Sequence, residues 1–113
     1  MDTVHSELAG QAAEAVSVLK SIAHEGRLLV LCFLSEAGEM AVGELAERVG
    51  LSQSALSQHL ARLRAEGMVT TRKEAQSVYY RIAQPKVLDL LSALHAIYCP
   101  FLRSTDIKES AND

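Results

Sequence analysis

The chain has 113 residues, a formal net charge of −3, and 49% hydrophobic residues with no tryptophan. This length predicts one domain over residues 1–113, small enough for a partner chain to help complete its core. The first ten residues lack the basic and apolar regions of an export signal, and the longest apolar run, Leu28 to Leu34, is too short to cross a bilayer. We therefore expect a cytoplasmic protein with no membrane partner.

The first part of the chain shows helical periodicity interrupted by glycines. Apolar residues at helical spacing predict a first helix over residues 6–23, and Gly26 breaks that pattern. The next run is apolar on almost every side, which predicts a second helix over residues 26–37 that is buried on most of its faces. A short apolar stripe predicts a third helix over residues 42–49, with Gly50 as its C-terminal cap.

A fourth helix is predicted directly after a tight turn. Ser52 is a suitable N-cap for a helix over residues 53–66, because its hydroxyl can accept a backbone N–H of the first turn. Leu56, Leu60 and Leu63 follow the i, i+4, i+7 spacing and should form the buried stripe of this helix.

After Gly67 the periodicity changes from helical to that of strands. Two β-branched and aromatic runs flank the polar turn Glu74-Ala75-Gln76, which predicts a hairpin over residues 68–83. A last helix is predicted over residues 85–103, followed by a flexible tail over residues 104–113. The expected fold is mainly α, a winged helix–turn–helix with five helices and a two-stranded wing.

Charge is unevenly distributed along the chain. Residues 52–81 carry five basic and two acidic residues, whereas the remainder carries six basic and twelve acidic residues. A basic segment on an acidic protein can form a local surface for phosphate, although an ordinary solvated face would look the same in sequence.

The fourth helix and the hairpin together predict a DNA-reading surface. Two helices joined by a tight turn can present the second helix to a major groove, where glutamine and serine contact base edges and arginine contacts phosphate or guanine. His59 lies beside the buried stripe and is equally suited to helix packing. The candidate DNA-binding residues are Ser52, Gln53, Ser54, Ser57, Gln58, His59, Arg62 and Arg64 on the helix, and Arg72, Lys73, Gln76 and Arg81 on the wing.

Two cysteines, Cys32 and Cys99, are the candidate reactive groups. Structural disulfides are rare in the cytosol, so a cysteine pair there tends to be redox-active, catalytic or metal-binding, although each thiol could also be a small core side chain. The four histidines form no nucleophile–base or metal-ligand cluster in sequence. We therefore predict no enzymatic activity and no cofactor.

Three stretches carry a family resemblance that covers about residues 16–101. LKSIAHEGRLLVLCFL, GELAERVGLSQSALSQHLARLRAEGMV and SVYYRI together resemble the ArsR/SmtB family of bacterial repressors. The resemblance implies a homodimer formed by the first and last helices that binds an imperfect inverted repeat in double-stranded operator DNA.

The metal motifs of that family are not retained. The family's Cys-Val-Cys-Asp-Leu motif corresponds to residues 41–45, which read Ala-Val-Gly-Glu-Leu. In the predicted last helix, Asp89 and His95 are the possible metal ligands. They are six positions apart, which is not the spacing that places two ligands on one helix face. We therefore predict no metal site.

The cysteine placement, one in the second helix and one after a tyrosine in the last, resembles the reactive-sulfur-sensing branch of the family. That resemblance implies that Cys32 and Cys99 become joined by a disulfide or a short polysulfide, with persulfide as inducer and loss of operator DNA as the result. The same fold responding to peroxide, disulfide stress or a soft metal remains an alternative. A winged-helix interaction module without a DNA role is a further alternative.

Overall fold

The computed structural model describes residues 2–98, with side chains from residue 3 onward. These residues form five helices and three short strands, and the predicted winged helix–turn–helix is confirmed. The order is α1 (Asp2–Ile22), α2 (Glu25–Ala37), β1 (Met40–Ala41), α3 (Val42–Val49), α4 (Gln53–Ala65), β2 (Val69–Glu74), β3 (Ser77–Ile82) and α5 (Pro85–Tyr98). Cys99, the predicted end of the last helix and the predicted tail lie outside the described residues.

Gly26 has a different role from the predicted helix breaker. It lies inside α2, whose N-cap is His24: the Nδ1 atom of His24 accepts the N–H of Gly26 at 3.0 Å. A Cβ atom at residue 26 would lie 2.7 Å from Nε2 of His59 on α4. Glycine is therefore used here because α2 and α4 approach closely, and the chain turns between α1 and α2 at residues 23 and 24.

The core is built around α2, which packs against α1, α3, α4, α5 and β3. Val30, Leu31 and Leu34 of this helix are buried, although Leu29 remains exposed on its outer side. The predicted burial of α2 on most of its faces is confirmed. An element in this position transmits a displacement of any neighbour to the others, because close-packed interiors deform little.

The turn between α3 and α4 is defined by two caps. Gly50 adopts φ +79°, in the left-handed region that closes a helix C-terminus, and its N–H donates to the carbonyl of Ala46. Ser52 then caps α4, with its Oγ accepting the N–H of Ala55 at 3.1 Å. These two caps fix where α4 begins relative to α3.

The wing contains three strands rather than the predicted two. The sheet order is β1-β3-β2 and both pairings are antiparallel. The two-residue strand β1 pairs Met40 with Tyr80 and Ala41 with Tyr79, which places β3 in the centre of the sheet. Two residues are too few to show a period in sequence, and β1 exists because β3 offers it backbone partners. Since β1 runs directly into α3, the wing is continuous with the helix–turn–helix.

None of the helices within residues 2–98 has both the length and the apolar character needed to cross a membrane.

Candidate nucleic-acid interface

One face of α4 is buried and the opposite face is polar and exposed. Leu56, Leu60 and Leu63 are each at most 1% exposed, which confirms the predicted stripe. The exposed side carries Gln53, Ser54, Ser57, Gln58, Ala61 and Arg62, with Arg64 also exposed. A helix of 13 residues anchored along one side can enter a major groove with its other side, and small or amide side chains allow close contact with base edges.

Ser52 is exposed but already has a local role as the N-cap of α4. Its hydroxyl accepts a backbone N–H, so the hydroxyl hydrogen remains the group that it can offer to a phosphate.

His59 lies on a different side of α4 from the exposed row. Its ring is half-buried and packs against His24, with ring centroids 4.7 Å apart and an interplanar angle of 51°. Burial, followed by the nearby His24 and Arg27, lowers the pKa of His59 below its ordinary value of 6.5. This placement favours the packing interpretation of His59 over a DNA contact.

Arg62 and Arg64 differ in their surroundings. Nε of Arg62 donates to Oε2 of Glu66 at 3.2 Å, so part of its charge is compensated. Arg64 has no carboxylate within 4.0 Å among the described side chains. Of these two arginines, Arg64 therefore has its charge fully available to a phosphate.

Glu66 also joins α4 to the end of α1. Its Oε1 accepts the hydroxyl of Ser21 at 2.6 Å, and this bond, reinforced by Arg62, lowers the pKa of Glu66. Neither Ser21 nor Glu66 was singled out from sequence, because a serine and a glutamate 45 positions apart carry no pattern that pairs them.

The predicted wing residues do not form one uniform basic surface. Lys73, Gln76 and Arg81 are exposed, and neither Lys73 nor Arg81 has a carboxylate within 4.0 Å among the described side chains. Arg72 instead forms a bidentate pair with Glu39, at 2.7 Å and 2.9 Å, and a third bond to Glu74 at 2.6 Å.

These contacts change the ionisation of the groups involved. The hydrogen bonds from Arg72 lower the pKa of Glu39, and the nearby charge of Arg81 adds to that effect. The two carboxylates in turn raise the pKa of Arg72. Glu39 and Arg72 are therefore both ionised at neutral pH. Glu39 was also missed in the sequence analysis, since it precedes a strand that has no sequence signature.

Cys32 lies in the middle of α2, half-buried, where it packs against the apolar core. Its predicted partner Cys99 lies outside the described residues. Within residues 2–98, no group of three or more His, Cys, Asp or Glu side chains is arranged to hold a metal ion.

A second surface runs along α1 and α5. Apolar side chains remain exposed there, on α1 at Val4, Leu8, Val16 and Leu19 and on α5 at Leu88, Ile97 and Tyr98. A groove of about 260 Å³ separates the two helices. It is bordered by an ion pair in which Nζ of Lys86 lies 3.0 Å from Glu14.

Comparison with known proteins identifies the family. The family model described as "Bacterial regulatory protein, arsR family" matches residues 24–71. The chain is 50% identical over 93 residues to the transcriptional activator HlyU of Vibrio cholerae, covering 82% of this chain and 85% of that protein. The structure of reduced HlyU from V. cholerae has a TM-score of 0.77 at 50% identity, covering 82% of this chain and 97% of HlyU.

The transcriptional repressor BigR from Xylella fastidiosa has a TM-score of 0.78 at 38% identity, covering 84% of this chain and 96% of BigR. Both structures have the same winged-helix arrangement of helices and strands. The chain therefore belongs to the arsR family of bacterial regulatory proteins, and it is a DNA-binding transcriptional regulator rather than an enzyme.

Proposed function

We propose that this chain is a homodimeric repressor that reads an imperfect inverted repeat with α4 and releases it when reactive sulfur links Cys32 to Cys99. The observation that carries the DNA-reading part is the exposed polar row of α4, which lies opposite a fully buried leucine stripe. The likeness to BigR, which is a transcriptional repressor, supports the direction of regulation.

Base reading is assigned to the amide and hydroxyl groups of the row, and phosphate contact to the unpaired cations. Gln58→Ala should weaken binding to the operator by about tenfold or more, because a bidentate amide–adenine pair contributes about 1–3 kcal/mol of discrimination. The same variant should leave binding to an unrelated duplex unchanged. Arg64→Ala should weaken binding to both duplexes equally. Fluorescence anisotropy with the operator and with the unrelated duplex measures both variants. If the wild type binds the two duplexes equally well, the proposal is refuted.

The dimer is assigned to the α1–α5 surface. Large apolar side chains are exposed on both helices in the isolated chain, and one of them, Leu19, lines the groove between α1 and α5. Exposed apolar surface of this kind is typical of protein–protein interfaces. A two-fold dimer would place two copies of α4 about one turn of DNA apart, roughly 34–36 Å, which is the spacing that an inverted repeat requires.

The sensing step is a pair of sulfur transfers. A thiolate of one cysteine takes the outer sulfur of a low-molecular-weight persulfide, forming a protein persulfide and releasing the donor thiolate. The thiolate of the other cysteine then attacks the inner sulfur, forming the disulfide and releasing hydrosulfide. If both cysteines carry a persulfide, their condensation gives a trisulfide and hydrogen sulfide.

The position of Cys32 supports a regulatory effect of such a link. α2 packs against both α4 and α5, so a covalent bond at Cys32 acts on a helix in direct contact with the DNA-reading helix. A coupling of about 1–3 kcal/mol, equivalent to 5–150-fold in operator affinity, is typical of allosteric proteins. The relative HlyU has been solved in a form described as reduced, which fits a redox-responsive group of regulators.

The sensing proposal is tested by treating the protein with glutathione persulfide and measuring operator binding and intact mass in parallel. The wild type should lose operator affinity as it loses two hydrogens, with or without the mass of an inserted sulfur. Cys32→Ser and Cys99→Ser should keep their operator affinity. Retained sensitivity in either variant would refute the mechanism. Release by peroxide alone, or by a soft metal ion without covalent change, would identify the inducer as one of those species instead.

A further inference from the structure

Arg72 forms three hydrogen bonds and one ring contact at the outer face of the wing. Its Nε and Nη2 atoms donate to the two carboxylate oxygens of Glu39, and Nη1 donates to Glu74. Its Cζ atom lies 4.6 Å from the ring centroid of Tyr79. We call these four residues the Arg72 cluster. A bidentate fork combined with aromatic stacking holds a guanidinium in one orientation, which a single surface ion pair does not.

The cluster links both strands of the hairpin to the residue that precedes β1. Arg72 lies on β2 directly opposite Tyr79 on the central strand β3, and Glu39 immediately precedes the edge strand β1. Residues that are directly paired share one face of a sheet, so the guanidinium reaches across the Tyr79 ring to Glu39. Because β1 leads into α3, the cluster connects the hairpin to the start of the helix–turn–helix.

The cluster has no positive charge to offer to DNA. One guanidinium faces two carboxylates, Glu39 at 2.7 Å and Glu74 at 2.6 Å, and it is about half exposed. Lys73, the next residue of β2, points to the opposite face and has no carboxylate within 4.0 Å among the described side chains. Adjacent basic residues with similar sequence signatures therefore have opposite electrostatic surroundings.

We propose that Arg72 is a positioning residue that sets the wing relative to α3 and α4 through Glu39, and that it makes no phosphate contact of its own. Lys73 supplies phosphate charge at the same level of the wing. This inference rests on the proposed DNA-reading function, and it assigns different roles to two residues that sequence reasoning placed together.

The test is the salt dependence of operator binding by the full chain, with Lys73→Gln as the matched control. Lys73→Gln should reduce the slope of log affinity against log salt by about 0.9, the value for one lost phosphate contact. Arg72→Gln should leave that slope unchanged and lower operator affinity about two- to fivefold at every salt concentration, in the range of one lost cross-strand pair. A slope reduced by about one unit in Arg72→Gln would overturn the inference.

The Glu39→Gln variant distinguishes a positioning role of Arg72 from a phosphate contact, because the two predict opposite changes in operator affinity. If Arg72 positions the wing, removing this carboxylate loosens the wing and weakens operator binding, although the protein has lost a negative charge. If Arg72 contacts phosphate, the same variant frees its charge and tightens binding, which would overturn the inference. The double variant Glu39→Gln/Arg72→Gln should bind no worse than the weaker single variant, because both changes remove the same contact.

Amide hydrogen exchange on the free protein provides a readout without DNA. Glu39→Gln and Arg72→Gln should both accelerate exchange in β1 and in its pairing with β3, whereas Lys73→Gln should not. Unchanged exchange in the first two variants would refute the positioning role. The two claims can fail separately. If the two variants show accelerated exchange but the wild type does not bind operator DNA, the positioning role of Arg72 is retained and the proposed DNA-reading function is wrong.

Discussion

His59 faces α2 rather than the solvent side of α4. Its ring touches His24, the N-cap of α2, and it occupies the space that a side chain at residue 26 would need. His59 therefore controls how closely α4 approaches the beginning of α2. The neighbouring residue Gln58 is exposed, so of these two consecutive positions of one helix His59 packs against α2 and Gln58 is available for the proposed base contact.

The lowered pKa of His59 gives the fold a predictable pH dependence. The unfolded chain binds a proton to this residue at a higher pH than the folded chain does, so protonation favours unfolding. The contribution of His59 to the free energy of unfolding should be fully present above about pH 6.5. It should decrease as the pH drops from there through the lower folded-state pKa of His59. Urea unfolding at a series of pH values should show a smaller loss for His59→Gln than for the wild type.

The close approach at Gly26 predicts a second residue-scale effect. Gly26→Ala should lower the free energy of unfolding by about 1–3 kcal/mol, the usual cost of overpacking, because its Cβ would press on His59. Gly10→Ala is a matched control in the interior of α1 with no atom within 4 Å, and it should increase stability through helix propensity. In a His59→Ala background the cost of Gly26→Ala should shrink. An equal cost in both backgrounds would contradict this packing explanation.

Among the secondary-structure elements, a set of hydrogen bonds links the end of α1 to α2 and α4. Arg27 of α2 is buried, and its Nε donates to the carbonyl of Ser21 at 2.6 Å, with Nη2 reaching the carbonyl of Lys20. The hydroxyl of Ser21 donates in turn to Glu66 at the end of α4. Arg27 of α2 thus bonds two carbonyls at the C-terminus of α1, while the Ser21 hydroxyl links the same end of α1 to Glu66 at the end of α4. These bonds connect the proposed dimer helix to the proposed DNA-reading helix.

Removing the hydrogen bonds of Arg27 should lower the stability of the protein more than removing a surface ion pair does. Arg27→Met retains most of the buried stem but leaves the Ser21 carbonyl without its donor, so stability should fall by about 1–3 kcal/mol. Arg48→Met removes an arginine whose exposed pair with Glu44 spans one helical turn, and its effect should be within about 0.5 kcal/mol. Denaturant midpoints of the two variants measure the difference, and equal midpoints would contradict a structural role for Arg27.

For the whole molecule, the organising feature is the central position of α2 between the DNA-reading surface and the α1–α5 surface. α4 and α5 both pack against this helix, and its Cys32 is half-buried against the apolar core. A change in the dimer or at Cys32 can therefore reach α4 through a single shared helix. Among the described residues, most of the large apolar side chains that the isolated fold leaves exposed lie on α1 and α5.

The proposed dimer predicts a specific response to a charge on that surface. Leu8 is 60% exposed in the single chain, and Leu8→Glu should weaken self-association by at least about tenfold, since an unpaired carboxylate would be buried in the interface. Ala61→Glu adds the same charge on the exposed face of α4 and should leave association unchanged. Sedimentation equilibrium of both variants measures the effect. A wild type that sediments as a monomer at micromolar concentration would refute the α1–α5 dimer.

Local periodicity by itself determined the five helices, the hairpin, the leucine stripe and the exposed row of α4, because those features depend on residues only a few positions apart. Tertiary structure alone decided that Arg72 pairs with Glu39 33 positions away, that Ser21 meets Glu66 45 positions away, and that Gly26 accommodates His59. It also created β1, whose two residues become a strand only beside β3. Such contacts form only when the elements pack together in three dimensions. The type of a single residue does not indicate which distant residue it will meet. The basic segment was therefore visible in sequence, whereas the compensation of Arg72 by a carboxylate outside that segment required the fold.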